Sequence, residues 1–307
     1  MSVRRQLGQG RLEGAGGSAP AAADTGVISS RENRWLKEFR VALRGGIATE
    51  SGSVGVEGVR LVEEALRSMC SVEAVLFSES GERHRERLAP LLGRAETGFP
   101  VLRTTDRLFE GVADTEHPQG VAALVKPRTV ELEDLFLVPA GVCAPLLVVL
   151  AGVQDPGNVG TILRTAAAFG ATGAVTTATG QSGTASAYSP KALRASAGAA
   201  LHLPLVAGMP LGIFLTQLKL RGVRTVASCV GERRGGSGVK APWEVDWCEP
   251  LAVLVGNEGA GLPEEIVDSA DERVEIPMAA GAESLNAAAA AAVIFYEGFR
   301  QRKEVKK

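Results

Sequence analysis

Residues 146–170 read LLVVLAGVQDPGNVGTILRTAAAFG, and the two halves of this stretch obey different rules. The apolar residues Leu146 to Ala151 run without a break, the pattern of a strand buried on both faces. After a turn of Gly, Asp, Pro and Asn, the residues Val159, Ile162, Leu163 and Ala166 recur at helical spacing. The alternation continues downstream: GAVTTA before SPKALRASAGAAL, LPLV before LGIFLTQLKLRG, then RTVASCV, LAVLVG before PEEIVDSA, and RVEIPM before an alanine-rich helix. Repeats of strand and helix predict an α/β fold with a parallel sheet covered on both faces. Ligands of such sheets bind where loops leave the carboxyl ends of the strands. Three loops on that rim are rich in glycine and polar residues: 154–160, 256–262 and 277–286.

Upstream the rhythm differs. ISSRENRWLKEFRVALR opens the first folded segment, with Ser29 and Glu32 at the spacing of a capping box. On a helical wheel, Trp35, Leu36, Phe39, Ala42 and Leu43 fill one arc, and Lys37, Arg40 and Arg44, with Arg34 beside them, form a basic stripe opposite. Glu32 and Glu38 interrupt it in part, so a solvated helix face and an RNA contact are both open readings. VEGVRLVEEALRS has a helical pattern, VEAVLFS a strand pattern, residues 82–92 form a charged helical segment, and FPVLRTT and GVAALVK complete a small α/β unit. KPRTVELEDLFLVPAGVCAP, with prolines and weak periodicity, reads as a connection. The expected organisation is a flexible tail over 1–27, a small α/β unit over 28–130, a linker over 131–145 and a second domain over 146–307.

Composition narrows the function classes. The first 26 residues are rich in Gly, Ala, Ser and Pro and lack the apolar core of a secretory signal, so a flexible tail is expected there despite Arg4, Arg5 and Arg11. No apolar run approaches the roughly 18 residues of a membrane span, and a membrane partner is not expected. Cys70, Cys143, Cys229 and Cys248 are far apart, which fits a reducing, cytoplasmic setting. His84, His117 and His202 are equally scattered, so no metal site is expected. With a formal charge of −2 the chain is not coated in positive charge, and any basic patch must be local. No GxxxxGK[ST] occurs, AGVQDPGNVG stands where a dinucleotide fingerprint would be, and no nucleophile elbow is present. Kinase and nicotinamide-dependent oxidoreductase readings are thereby disfavoured.

DPGNVGTILRTAAAFG, SPKALRASAGA, LVGNEGAGLPEEI and IPMAAGAESLNAAAAAAVIFYE resemble, in order and spacing, the motifs of the SpoU (TrmH-type) branch of the SPOUT RNA 2′-O-ribose methyltransferases. The resemblance covers the second domain, and VEGVRLVEEAL with HPQGVAAL is similar to the substrate-binding domain of ribosomal RNA members, whose fold is like that of small RNA-binding ribosomal proteins. Ala287 and Ala288 stand where Val and Ser are common. The family implies a SPOUT parallel sheet with a C-terminal trefoil knot, a homodimer, and S-adenosylmethionine as cofactor with no metal. The implied substrate is ribosomal RNA, with transfer RNA as an alternative substrate and a non-catalytic ribosome-assembly factor as the rival from another class.

The resemblance also assigns residues. Gly256, Asn257, Gly259, Ile276, Met278 and Leu285 match cofactor-binding positions, where a backbone grip would explain the crowd of glycines. Asn158, Arg164, Glu258, Ser284 and Asn286 match the polar active-site positions. Asn158 could equally be a helix cap. Arg164 could clamp phosphate or activate the 2′-hydroxyl, though Arg stays protonated, which leaves Glu258 as base or orienter. Ser284 and Asn286 place more polar groups at one helix start than a single cap needs.

Overall fold

A computed structural model describes residues 27–93, 98–138, 140–178, 183–229, 238–280 and 284–304. Of the front segment expected to be a tail, 1–27, all but Val27 lies outside them, as does Glu283. The first elements are α1 (Arg34–Ala42), β1 (Val54–Glu57), α2 (Val59–Arg67), β2 (Ser71–Ser78), α3 (Arg85–Leu92), β3 (Val101–Thr104), α4 (Asp106–Glu110) and β4 (Val121–Lys126). They build a four-stranded sheet in the order β1-β4-β2-β3, antiparallel except for β2 with β3. Successive side chains of a strand point to opposite faces. Ala74, Leu76, Ala122 and Leu124 therefore pack with Leu36 and Phe39 of α1, while Val75, Phe77, Val121 and Ala123 pack with Val62 and Ala65 of α2.

Two local expectations are corrected. The cap of α1 is Asn33, whose side chain accepts from the Trp35 amide at 2.9 Å, and Glu32 instead pairs with Lys37 at 2.6 Å. An Asx side chain two residues before a free amide satisfies it without the Ser29 box. The helical pattern of VEGVRLVEEALRS starts two residues too early: Val56 and Glu57 pair with β4, and Gly58, at φ +96°, turns the chain into α2. A helix cannot pass through that backbone conformation.

The second sheet holds β5 (Leu146–Ala151), β6 (Gly173–Ala178), β7 (Leu205–Pro210), β8 (Arg224–Ser228), β9 (Val239–Lys240), β10 (Leu251–Val255) and β11 (Glu272–Val274). The helices between and after them are α5 (Pro156–Ala168), α6 (Pro190–Ala195), α7 (Leu211–Leu220), α8 (Glu264–Ser269) and α9 (Ala287–Glu304). All pairings are parallel, in the order β7-β6-β5-β10-β8-β11-β9. Leu146, Val148, Val253 and Val226 face one core and Leu147, Val149, Ala252 and Ala227 the other, so the sheet is covered on both faces as its unbroken apolar strands require.

The chain runs outward from β5 through β6 to β7, then crosses to β8 on the far side, and β10 fills the gap. Ligand crevices form where the direction of winding reverses. The carboxyl ends of β5, β10 and β8 meet at that place.

The two sheets share a core that runs from Val75 and Phe77 to Leu146 and Val148. A Cβ on Gly198, at φ +87°, would stand 2.8 Å from Glu64 Cβ, so α2 lies directly on the corner after α6. His202 meets Glu64 at 3.0 Å and Arg194 meets Asp114 at 2.6 Å across the same seam. The stretch read as a mere connection also contributes structure: Leu135 is fully buried against Gly173 and Leu147. Val130, Leu132 and Phe136 pack against the same cluster, at spacings too irregular for a sequence reading to detect. At the far end, Gly298 of α9 lies under Trp247, where a Cβ would meet the ring at 3.2 Å. Arg302 is buried and donates to the carbonyls of Trp247, Ala144, Pro145 and Glu249 at 2.6–3.3 Å. Among the described residues no helix is long and apolar enough to cross a membrane.

Candidate active site at the carboxyl ends of the parallel strands

The turn after β5 begins the site. Asp155 is the cap of α5: its Oδ1 accepts from the Gly157 amide at 3.0 Å, and Pro156 follows as the first helical residue, where its missing N–H costs nothing. Asn158 is therefore released from capping. Its Nδ2 donates to Glu258 Oε1 at 2.9 Å, and its Oδ1 accepts from Asn286 Nδ2 at 3.1 Å. Asn286 does both jobs that its type permits, since its Oδ1 also accepts from the Ala288 amide at 2.8 Å and caps α9.

Glu258 accepts three hydrogen bonds. Besides Asn158, the amides of Gln154 and Asp155 reach its two oxygens at 3.1 Å each. Partial burial works to raise its pKa, but the Asn158 amide and the backbone donors outweigh burial and hold the carboxyl below its usual range. A carboxylate so satisfied is a weak proton acceptor. The geometry makes it a strut that ties the loop after β10 to the loop after β5. Asn257 reinforces the strut, donating to the Gly152 carbonyl and accepting from the Gly259 and Ala260 amides, all at 2.9 Å.

Beside this chain of side chains opens a cleft of about 700 Å³, part of it open to solvent, walled by the ends of β8, β10 and β11 and by the start of α9. Gly256, Asn257, Ile276, Met278, Ser284 and Leu285 line it together with Glu258. Gly259 is not among these lining residues; its amide donates to Asn257 Oδ1 in the turn beside the cleft. Gly256 has a packing reason to be glycine, because a Cβ there would stand 2.4 Å from the Gly261 and Leu262 backbone. Ser284 is exposed and makes no hydrogen bond among the described residues. The sequence reading missed Ser228, Cys229, Glu275, Ala290 and Ile294 as lining residues. The rule that ligands gather at strand carboxyl ends could have found the first three. A lining with an apolar side of Val255, Ile276, Met278 and Ile294 and a polar side of Ser228, Asn257 and Ser284 fits a nucleoside bearing a polar tail, and hence S-adenosylmethionine.

Arg164 stands apart from this cluster. Six residues beyond Asn158, it lies roughly 240° round α5, on the exposed strip, and no carboxylate among the described residues pairs with it. The α1 stripe is only partly free: Lys37 pairs with Glu32, and Arg34 stacks on Trp35 at 4.9 Å, whereas Arg40 and Arg44 have no ion-pair partner among the described residues.

The comparisons with known proteins agree with this architecture. The model of the SpoU rRNA Methylase family matches residues 145–296, and that of the MRM3-like substrate binding domain matches residues 49–123. A Bacillus subtilis relative named 23S rRNA (guanosine(2553)-2′-O)-methyltransferase RlmP is 32% identical over 270 residues, covering 88% of this chain and 97% of its own. An AdoMet-bound rRNA methyltransferase from Sinorhizobium meliloti superposes with a TM-score of 0.73 at 28% identity, covering 89% of this chain and 97% of that one. The SpoU methyltransferase AviRb from Streptomyces viridochromogenes, in complex with AdoMet, gives 0.72 at 27% identity, covering 88% and 98%. A carboxylate strut between the first and third motifs, a mixed cleft beside it, and relatives that match along most of their length lead to one assignment: the chain belongs to the SpoU rRNA methylase family.

Proposed function

We propose that this protein transfers a methyl group from S-adenosylmethionine to a ribose 2′-hydroxyl of ribosomal RNA, that of the large subunit. The carrying observation is the hydrogen-bonded chain Asn286–Asn158–Glu258 beside the cleft, built from the first turn of α5, the loop after β10 and the start of α9. The names of the relatives support the substrate.

S-adenosylmethionine, when bound, supplies an electrophilic methyl on a sulfonium. The residues that would hold it are Gly256, Ile276, Met278 and Leu285, with Asn257 fixing the loop. The chain's remaining task is to orient the ribose and favour the developing oxyanion, and positioning of two reactants supplies much of such an acceleration. Asn158, Ser284 and Asn286 offer directional hydrogen bonds to the ribose, and Glu258 keeps Asn158 in place. A guanidinium is a donor and not a proton acceptor, so the role of Arg164 is to stabilise negative charge on phosphate or on the 2′-oxygen.

The reading includes a homodimer. Val293 and Tyr296 lie on the outer face of α9, exposed to 41% and 54%, and Tyr296 meets Phe169 of the α5 end edge-on at 5.5 Å. A second copy covering this apolar face would bury it and approach Arg164. The reading also includes a trefoil knot behind the cleft, consistent with β10 lying between β5 and β8, a substrate-binding unit over 28–130, a linker over 131–145 and a methyltransferase domain over 146–307. It needs no metal and places the enzyme in the cytoplasm.

The test is transfer of labelled methyl from S-adenosylmethionine to large-subunit ribosomal RNA and to transfer RNA by the purified protein, with ribose-methylation mapping of the product. Label on a ribose of ribosomal RNA is expected. Label on a base would overturn the reaction, and label only in transfer RNA would overturn the substrate.

A further inference from the structure

The side chain of Lys191, at the start of α6, is exposed and lies directly over the first turn of α5. A Cβ on Gly157 would stand 3.3 Å from Lys191 Cε, and Lys191 Nζ meets Asp155 Oδ1 at 2.6 Å. Gly157 and Arg164 are seven residues apart, which places them within about 20° of each other on one face of α5 and roughly 10 Å apart along it. Lys191 and Arg164 thus stand on a single exposed strip. The other end of α6 leads back to the substrate-binding unit: Gly46, just beyond Arg44, comes within 3.7 Å of Pro190, counted from the Cβ it would carry. The backbone two residues past Arg44, which itself lies just beyond the end of α1, is therefore beside the residue next to Lys191.

We propose that Lys191 binds an RNA phosphate, as the middle contact of a cationic track that runs from Arg40 and Arg44 to Arg164 and leads the strand to the methylation site. The inference rests on the reading of the protein as an RNA ribose methyltransferase and deepens it. The Lys191–Asp155 pair is not needed to dock α6 on α5. That contact is made by Gly160, where a Cβ would stand 2.2 Å from the Ala192 carbonyl and 2.8 Å from Ala195 Cβ. Both partners of the pair are exposed, at 61% and 46% of their side-chain surface, and such pairs hold weakly. A phosphodiester can take over the ammonium, which suits it as a point charge. Asp155 keeps its cap bond to Gly157 when that happens.

The test is RNA binding by the full-length protein across a salt series, with large-subunit ribosomal RNA transcribed in vitro as the probe. Each phosphate contact contributes about 0.7 to 0.9 to the slope of log affinity against log salt. Lys191→Ala is expected to lower that slope by about this amount and to weaken binding about 5- to 10-fold at 0.1 M salt, with S-adenosylmethionine affinity unchanged. Lys191→Arg should keep the slope. Asp155→Asn, which preserves the cap oxygen and removes the competing charge, should bind RNA at least as tightly as the wild type. An unchanged slope in Lys191→Ala overturns the proposal, and so does an equal loss of RNA affinity in Asp155→Asn, which would mark the pair as a structural clamp. If the wild-type protein itself transfers no methyl to RNA ribose, the underlying reading fails, and that result is separate from the behaviour of Lys191.

Discussion

Asn158 Nδ2 stands 2.9 Å from Glu258 Oε1, although the two residues are a hundred positions apart in the chain. The bond closes only when the turn after β5 and the turn after β10 lie on the same rim. It makes the orientation of Asn158 a property of the whole parallel sheet.

Glu258→Gln is expected to lower turnover about 100-fold by loosening Asn158, while leaving the pH dependence of the rate above pH 6 unchanged. The carboxyl is held below its ordinary value of 4.5, so it is already ionised there. The sign for stability follows: the group contributes fully above pH 4.5 and its contribution is lost as the pH falls through the lower folded pKa. Acid unfolding curves of the variant should be flatter in that limb. An ionisation in the neutral pH–rate profile that disappears in Glu258→Gln would instead make Glu258 the proton acceptor.

Asn286 can be dissected by its two ends. Asn286→Asp keeps the acceptor that caps α9 and loses the donor to Asn158, so melting should stay near wild type while single-turnover transfer falls. Asn286→Ala loses both, and should also cost about 1 kcal/mol of stability. Equal melting temperatures in the two variants would show that the cap is idle.

Arg164→Ala is expected to reduce turnover about 100- to 1000-fold with nearly normal S-adenosylmethionine affinity by calorimetry, because Arg164 does not line the cleft. Arg164→Lys should rescue poorly, since an ammonium lacks the planar donor fork. A defect confined to cofactor binding would contradict this role.

Arg302→Ala should destabilise the fold by about 3 kcal/mol or more, because four carbonyls around one buried guanidinium lose a charge-assisted donor. Denaturant midpoints measure this. Cofactor affinity of the folded fraction should be unchanged, and a loss below about 1 kcal/mol would mean that water replaces the side chain.

The residues that enter the cleft are named only through the family resemblance, while the sequence by itself determined the alternation of buried strand and helix after Leu146 and the three polar loops on the rim. Those features are local: an apolar run or a helical spacing leaves its period in the chain whatever surrounds it. Tertiary structure decided the rest. Asp155 fills the cap position that Asn158 could have taken, and three donors from residues 154–158 converge on the Glu258 carboxylate. The Gly259 amide is engaged in the Asn257 turn, and Lys37 of the α1 stripe pairs with Glu32. Lys191 carried no signal at all, because nothing in SPKALRASAGA says that its side chain crosses to Asp155 or that Pro190 lies beside Gly46. Strand order and the meeting of distant polar groups depend on which surfaces pack together, and that is settled by long-range burial that no single stretch of sequence contains.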